Sequence, residues 1–179
     1  MNMTFHSQQK QRGIVLITGL IFLVILTLLG VTAMRMASME ERMSGNMRDR
    51  NLAFQAAEMG LRYAEQHIRA GGTISGVTGF NTTCTAGLCY YGAGVSPPVA
   101  PAWVTYCAPA CPIAYVAGTA FGAYTAPALP AGVPAPTYLI EGIRKTPPGS
   151  GVRYYYRISV RGQGAQPGTV VWLQEVFRP

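Results

Sequence analysis

The sequence predicts an α+β protein: a long N-terminal α-helix, apolar in its first half, packed by its second half on a C-terminal antiparallel β-sheet head. Three observations predict it. All eight methionines lie at or before Met59, and all thirteen prolines lie at or after Pro97. From Gly71 onward the chain holds 16 of its 21 glycines and every cysteine. Helix breakers are therefore confined to a second piece of turns and short extended runs. The third observation is a run without charge from Arg12 to Arg35, followed by a helical apolar stripe. At 179 residues, 49% hydrophobic and 12% charged, with a net charge of +7, the chain is too apolar for intrinsic disorder. Four cysteines are too few for a disulfide-dense miniature scaffold.

Residues 1–13 form a polar, basic leader with Lys10 and Arg12 and no acid. Residues 14–33 follow as nearly continuous Ile, Leu, Val and Phe, broken by Gly19, Gly30 and three threonines. Twenty helical residues span roughly 30 Å, the thickness of a bilayer's hydrocarbon core. The basic flank predicts a cytoplasmic N-terminus, although Arg35 beyond the run lessens the contrast. Three readings compete for this segment. A cleaved secretory signal would need a shorter apolar region and a better small-residue site than Val31-Thr32-Ala33. A permanent anchor is the second. The third places a cut after Gly13, leaving the apolar run as a new N-terminus.

Residues 34–70 continue as an amphipathic helix. Phe54, Ala57, Leu61, Ala64 and Ile68 recur on one stripe, which predicts packing against the head. Glu58 precedes Arg62, and Glu65 precedes Arg69, by four residues, the favourable order for helical ion pairs. Gly71-Gly72 ends the pattern. A helix over 14–70 would be about 85 Å long. No globule of this size buries such a rod, so its first half requires lipid or other helices. Ser44-Gly45-Asn46 is a weak point where it could bend.

These residues resemble a known family. The glycine-ended leader, apolar run, unbroken amphipathic helix and β-rich head are similar to a type IV pilin precursor. More narrowly, Glu40 to Arg50 (EERMSGNMRDR) followed by Leu52 to Glu58 (LAFQAAE) resembles the N-terminal signature of the PilX family of minor pilins. Tyr156 to Gly162 and Val170 to Gln174 are similar to that family's closing strands, while residues 72–136 match nothing recognisable. The resemblance implies the type IV pilin fold and cleavage by a prepilin peptidase between Gly13 and Ile14, with methylation of the new amine on Ile14. Most pilins place a glutamate at the fifth mature position to pair with a neighbour's terminal amine; here that position is Thr18. The subunit then lacks the carboxylate that attracts its neighbour's terminus, as in the tip pseudopilin of type II secretion systems, which suggests a place at or near the fibre's end.

Residues 71–179 form the head, which that topology places in the oxidising periplasm. Runs near Tyr138-Leu139-Ile140, Arg153 to Val160 and Thr169 to Phe177 predict three strands. Tyr154-Tyr155-Tyr156 and Trp172 read as sheet packing rather than a stacking surface. Ala93 to Pro136, rich in Ala, Pro and Gly, reads as a long irregular excursion. Cys84, Cys89, Cys107 and Cys111 allow three pairings, and the sequence does not choose among them. The reading adopted is structural disulfides in local pairs, Cys84 with Cys89 and Cys107 with Cys111. Their gaps of four and three residues do not suit a zinc ribbon.

No catalytic constellation emerges, and no cofactor or metal is expected. His6 lies in the leader and His67 on the helix, so the head has no histidine for general-base work. Its only carboxylates, Glu141 and Glu175, fall on separate strands. From Gly71 the head carries six cations against these two acids, a balance of 6 − 2 = +4. Arg153, Arg157 and Arg161 share strand parity and form a candidate basic stripe, either a solvated face, a surface for an acidic partner, or a nucleic-acid contact.

The reading is a structural minor pilin. It waits in the bacterial inner membrane with its head in the periplasm, then joins an initiating complex that primes the fibre and ends at its tip on the cell surface. Expected partners are membrane lipid before assembly, prepilin peptidase, the inner-membrane assembly platform, other minor pilins and the major pilin. The resemblance adds a large tip adhesin and roles in twitching motility and adhesion. A DNA-binding pilin for uptake and a type II secretion minor pseudopilin are the alternatives.

Overall fold

The computed structural model describes residues 13–70, 74, 76–90 and 102–179. The leader residues Lys10, Arg12 and His6, the Gly71-Gly72 stop and the first part of the Ala93 excursion lie outside them. Helix α1 (Ile14–Arg69) is followed by β1 (Leu88–Cys89), the short α2 (Ala102–Tyr106), β2 (Ile113–Ala114), β3 (Ala120–Phe121), β4 (Tyr124–Thr125), β5 (Thr137–Lys145), β6 (Arg153–Gln163) and β7 (Val170–Phe177). This is the α+β architecture the sequence predicts, one long helix followed by a β-sheet head. The chain divides into two compact units, Met1–Gly45 and Asn46–Pro179, yet residues 44–46 remain helical.

In the first unit the helical side chains are exposed throughout the described residues. In the second, residues 46–69 of α1 lie on a sheet ordered β1-β5-β6-β7, with β2 also on β5. The three long strands are antiparallel, at the places where the β-branched and aromatic runs predict them. The sheet is not wholly antiparallel, because β1 joins β5 in parallel. The Ala93–Pro136 excursion, expected to be irregular, is partly ordered into α2, β2 and the β3–β4 pair.

Register divides the sheet into two faces. Tyr138, Ile140, Tyr156, Ile158, Val160 and Phe177 form the core under α1 with Ala57, Tyr63, Ala64 and Ile68. The opposite, outer face holds Leu139, Glu141, Arg157, Ser159 and Gln174. Above Leu139 a second cluster gathers all four cysteines and Ala102, flanked by Trp103 and Tyr106.

The helix face that meets the sheet is built of small residues: Ala53, Ala56, Ala57, Gly60 and Ala64 are buried. Backbones approach closely there. A Cβ on Gly162 of β6 would stand 2.4 Å from the Ala53 carbonyl oxygen and 2.7 Å from the Ala57 amide nitrogen. A Cβ on Gly60 would meet Val160 Cγ1 at 2.8 Å. This corrects one member of the expected packing stripe. Phe54 is 44% exposed, because the docking face turns through Ala53 and Ala57 and has no room for a ring. Leu61 is half-buried at its edge, whereas Ala57, Ala64 and Ile68 are buried.

Asp49 fixes the other end of the contact. It is 8% exposed on α1, and its carboxylate accepts the backbone N–H groups of Ala165 (2.7 Å) and Gln166 (3.2 Å) in the β6–β7 turn. The Thr169 hydroxyl, first, and those two amides hold the carboxyl below its usual value against the opposing effect of burial. Gly164 makes this possible, since a Cβ there would stand 2.6 Å from Asp49 Oδ1.

Gly162→Ala is expected to destabilise the head by about 1–3 kcal/mol, since backbone atoms cannot yield to the added methyl. Thermal unfolding of the full chain in detergent measures it. Gly168→Ala, with open space around its Cβ, should leave the midpoint unchanged. Equal midpoints for both variants would contradict the close-approach reading.

Candidate assembly surface

The first functional feature is the apolar half of α1. Each large hydrophobic residue from Ile14 to Val31 is exposed, from 46% at Val24 to 75% at Leu16. The stretch is long and apolar enough to cross a bilayer. Its threonines do not spoil it. Thr18 Oγ1 donates to the Ile14 carbonyl (3.0 Å), Thr27 to Val24 (2.8 Å) and Thr32 to Leu29 (2.8 Å). Each hydroxyl is satisfied within its own helix, so none demands water or a partner in hydrocarbon. Among the described residues, nothing beyond the adjoining helix backbone lies within 4 Å of an ideal Cβ on Gly19 or Gly30, leaving flat sites where another helix can come close. Gly13 is exposed immediately before the first helical residue, Ile14.

The second feature is the outer face of the head. Arg153, Arg157 and Arg161 share that face, but they are not equivalent. Arg157 lies directly opposite Glu141 and grips it with two bonds of 2.6 Å, Nε to Oε2 and Nη2 to Oε1. Glu141 is 2% exposed, so this fork neutralises a buried carboxylate. Arg153 is exposed, and Arg161 is half-buried with Nη1 3.3 Å from Gln163 Oε1. Alongside Arg161, in register on β7, stands Trp172, whose ring lies 5.1 Å from that of Trp103 on α2.

The cysteines are bonded as Cys84–Cys89 and Cys107–Cys111, and none is free. They secure the loops that cover Leu139, where the Cys111 amide also donates to Thr137 Oγ1 at 3.0 Å. His67 is absorbed by the core: its Nδ1 is 3.0 Å from the Tyr138 hydroxyl and its ring stacks on Phe121, and burial lowers its pKa.

The profile described as PilX N-terminal matches residues 12–62, and that of the type IV pilus assembly protein PilX C-terminal region matches residues 72–179. The chain belongs to the PilX family. It is thus a minor pilin of the type IV pilus class, and the match includes residues 72–136, which the sequence alone leaves unrecognised. No curated protein and no solved structure matches it significantly. A structural subunit suits what this PilX-family chain presents: an uncovered apolar helix and a stapled head.

Carboxylates supply a feature that sequence reasoning misses. The expected helical pairs Glu58–Arg62 and Glu65–Arg69 do not form within 4 Å; among the described residues the ion pair at that distance is Arg157–Glu141. Exposed helical pairs gain little, and the sheet offers alternatives. Arg69 lies over the Phe177 ring at 4.6 Å. Glu65 instead faces Glu175 on the α1-facing side of β7, and burial, then this carboxyl neighbour, pushes Glu175 up to about 7, with Arg69 acting the other way. Only the three-dimensional register of β7 against α1 brings these two acids together.

Glu175 holds its proton more tightly folded than unfolded. Its contribution is fully present below the ordinary carboxyl value, near 4.5, and is lost as pH rises through about 7. Glu175→Gln is therefore expected to flatten the pH dependence of the thermal midpoint between pH 5 and 8 and to raise the midpoint at pH 8. A variant that tracks the parent at every pH would refute the paired-acid reading.

Proposed function

We propose that this chain is a subunit of the complex that initiates a type IV pilus and remains at its tip. The exposed apolar stretch from Ile14 to Val31 carries the reading, supported by membership of the PilX family. In the inner membrane that surface is solvated by lipid tails, with the head in the periplasm. On assembly, lipid contacts are exchanged for the helices of other minor pilins and the major pilin. Gly19 and Gly30 admit neighbouring backbones at van der Waals distance.

Processing precedes assembly in this reading. Prepilin peptidase cuts between Gly13 and Ile14 and methylates the Ile14 amine. Thr18 stands at the fifth mature position and spends its hydroxyl on its own helix, so it offers no carboxylate to a neighbour's terminal amine. A subunit without that electrostatic grip is tolerated where one of its contacts is missing, at the end of a fibre. There the head is free to present a large adhesin and so to support adhesion and twitching motility.

N-terminal sequencing of the protein recovered from membranes, with and without active prepilin peptidase, tests the reading. The expected product is a chain starting at N-methylated Ile14, made only when the enzyme is active. A start at Met34 would indicate ordinary secretion, and an intact Met1 a permanent anchor; either overturns the proposal.

A further inference from the structure

Charge and exposed aromatic rings coincide on the outer face of the sheet. Lys145, Arg153, Arg157 and Arg161 occupy outer-face positions of β5 and β6, against the single carboxylate of Glu141. The other head acid, Glu175, is on the α1-facing side. Four cations less one acid leave this face at +3, and Glu141 is already held by Arg157. Among the described residues no carboxylate lies within 4 Å of Lys145, Arg153 or Arg161.

The rings are placed among these charges. Trp172 is 39% exposed on β7, directly opposite Arg161. With Trp103, Ser159 and Gln174 it borders a cleft of about 90 Å³, and Gln174 Nε2 donates to Ser159 Oγ at 2.8 Å. Tyr155 stands on the same face with Lys145 Nζ 5.6 Å from its ring centre. Trp172 turns away from α1, unlike Leu173 and Phe177, and although one side of its ring meets Trp103 it stays 39% exposed.

We propose that this face binds single-stranded nucleic acid, with phosphates on Lys145, Arg153 and Arg161 and a base stacked on Trp172. Charge selects a polyanion, and interleaved rings select one that carries flat, unpaired bases. An acidic protein segment has no base to stack, and a duplex keeps its base faces closed. Arg157, committed to Glu141, shapes the face rather than gripping phosphate. The inference does not depend on tip assembly, which uses the apolar helix.

The test is fluorescence anisotropy of a labelled oligothymidylate titrated with the full chain in non-ionic detergent, over a series of salt concentrations. Three phosphate contacts predict a log–log salt slope of about −2. Arg153→Ala with Arg161→Ala should reduce that slope by about 1.4. Trp172→Ala should weaken binding by about 5- to 150-fold at unchanged slope, while Trp172→Phe should retain most of the affinity. Thermal midpoints equal to the parent's show that the variants are folded; if Trp172→Ala is not, Trp172→Phe and the arginine pair decide. Absence of binding at low salt would overturn the proposal. So would equal competition by polyglutamate, which would assign the face to an acidic protein, or equal affinity for a duplex of the same length. Indifference of the folded variants would overturn it as well.

Discussion

A helical surface of fourteen large apolar residues, Ile14 to Val31, that its own chain does not cover is the constraint on which the rest of this protein depends. Burying a large aliphatic side chain is worth about 1.5–3 kcal/mol, so leaving this many in water is not an option. The chain must find lipid or other helices. The threonines within the stretch return their hydroxyls to the helix that bears them, and so the surface is apolar in chemistry as well as in composition. The same rod therefore serves as anchor and as packing surface, and exchange of one apolar environment for another lets a subunit leave a bilayer for a fibre.

The head answers a different demand, which is to hold a sheet firmly on a helix with few bulky side chains at the contact. Alanines and glycines on α1 meet Gly162 on β6 at backbone distance, and Asp49 binds the turn that follows. Large residues are displaced to the flanks, where Tyr63 packs between the rings of Tyr115, Phe121 and Tyr138. On the outer face the two disulfides secure loops around Leu139, and the Arg157–Glu141 fork buries one of the head's two carboxylates without leaving it unpaired. What remains open beside them is positively charged and aromatic.

Much of the fold was legible because its signals are one-dimensional. Helix breakers are partitioned, apolar runs have length and period, and the three long strands announce themselves as β-branched and aromatic clusters between Gly and Pro. Legibility failed where the cause is three-dimensional. Phe54 reads as core because period alone assigns faces, but the width of the contact is set by glycines more than a hundred positions away. Asp49 sits within the stretch that marks the family, yet nothing local says that it will cap a turn at Ala165. Glu65 and Glu175, or Trp103 and Trp172, become neighbours only through sheet register and the path of the excursion. The candidate basic stripe was legible as parity on one strand. That its middle arginine belongs to Glu141 was not, because that depends on which residue of β5 lies opposite.

The central claim is that the Ile14–Val31 surface requires an apolar environment. The most direct measurement is sedimentation of the full chain after membranes are stripped with alkaline carbonate, with and without detergent. The account predicts recovery in the membrane pellet, release only by detergent, and collapse into large aggregates when detergent is withdrawn. A monomer that stays in the supernatant with no detergent present would contradict it.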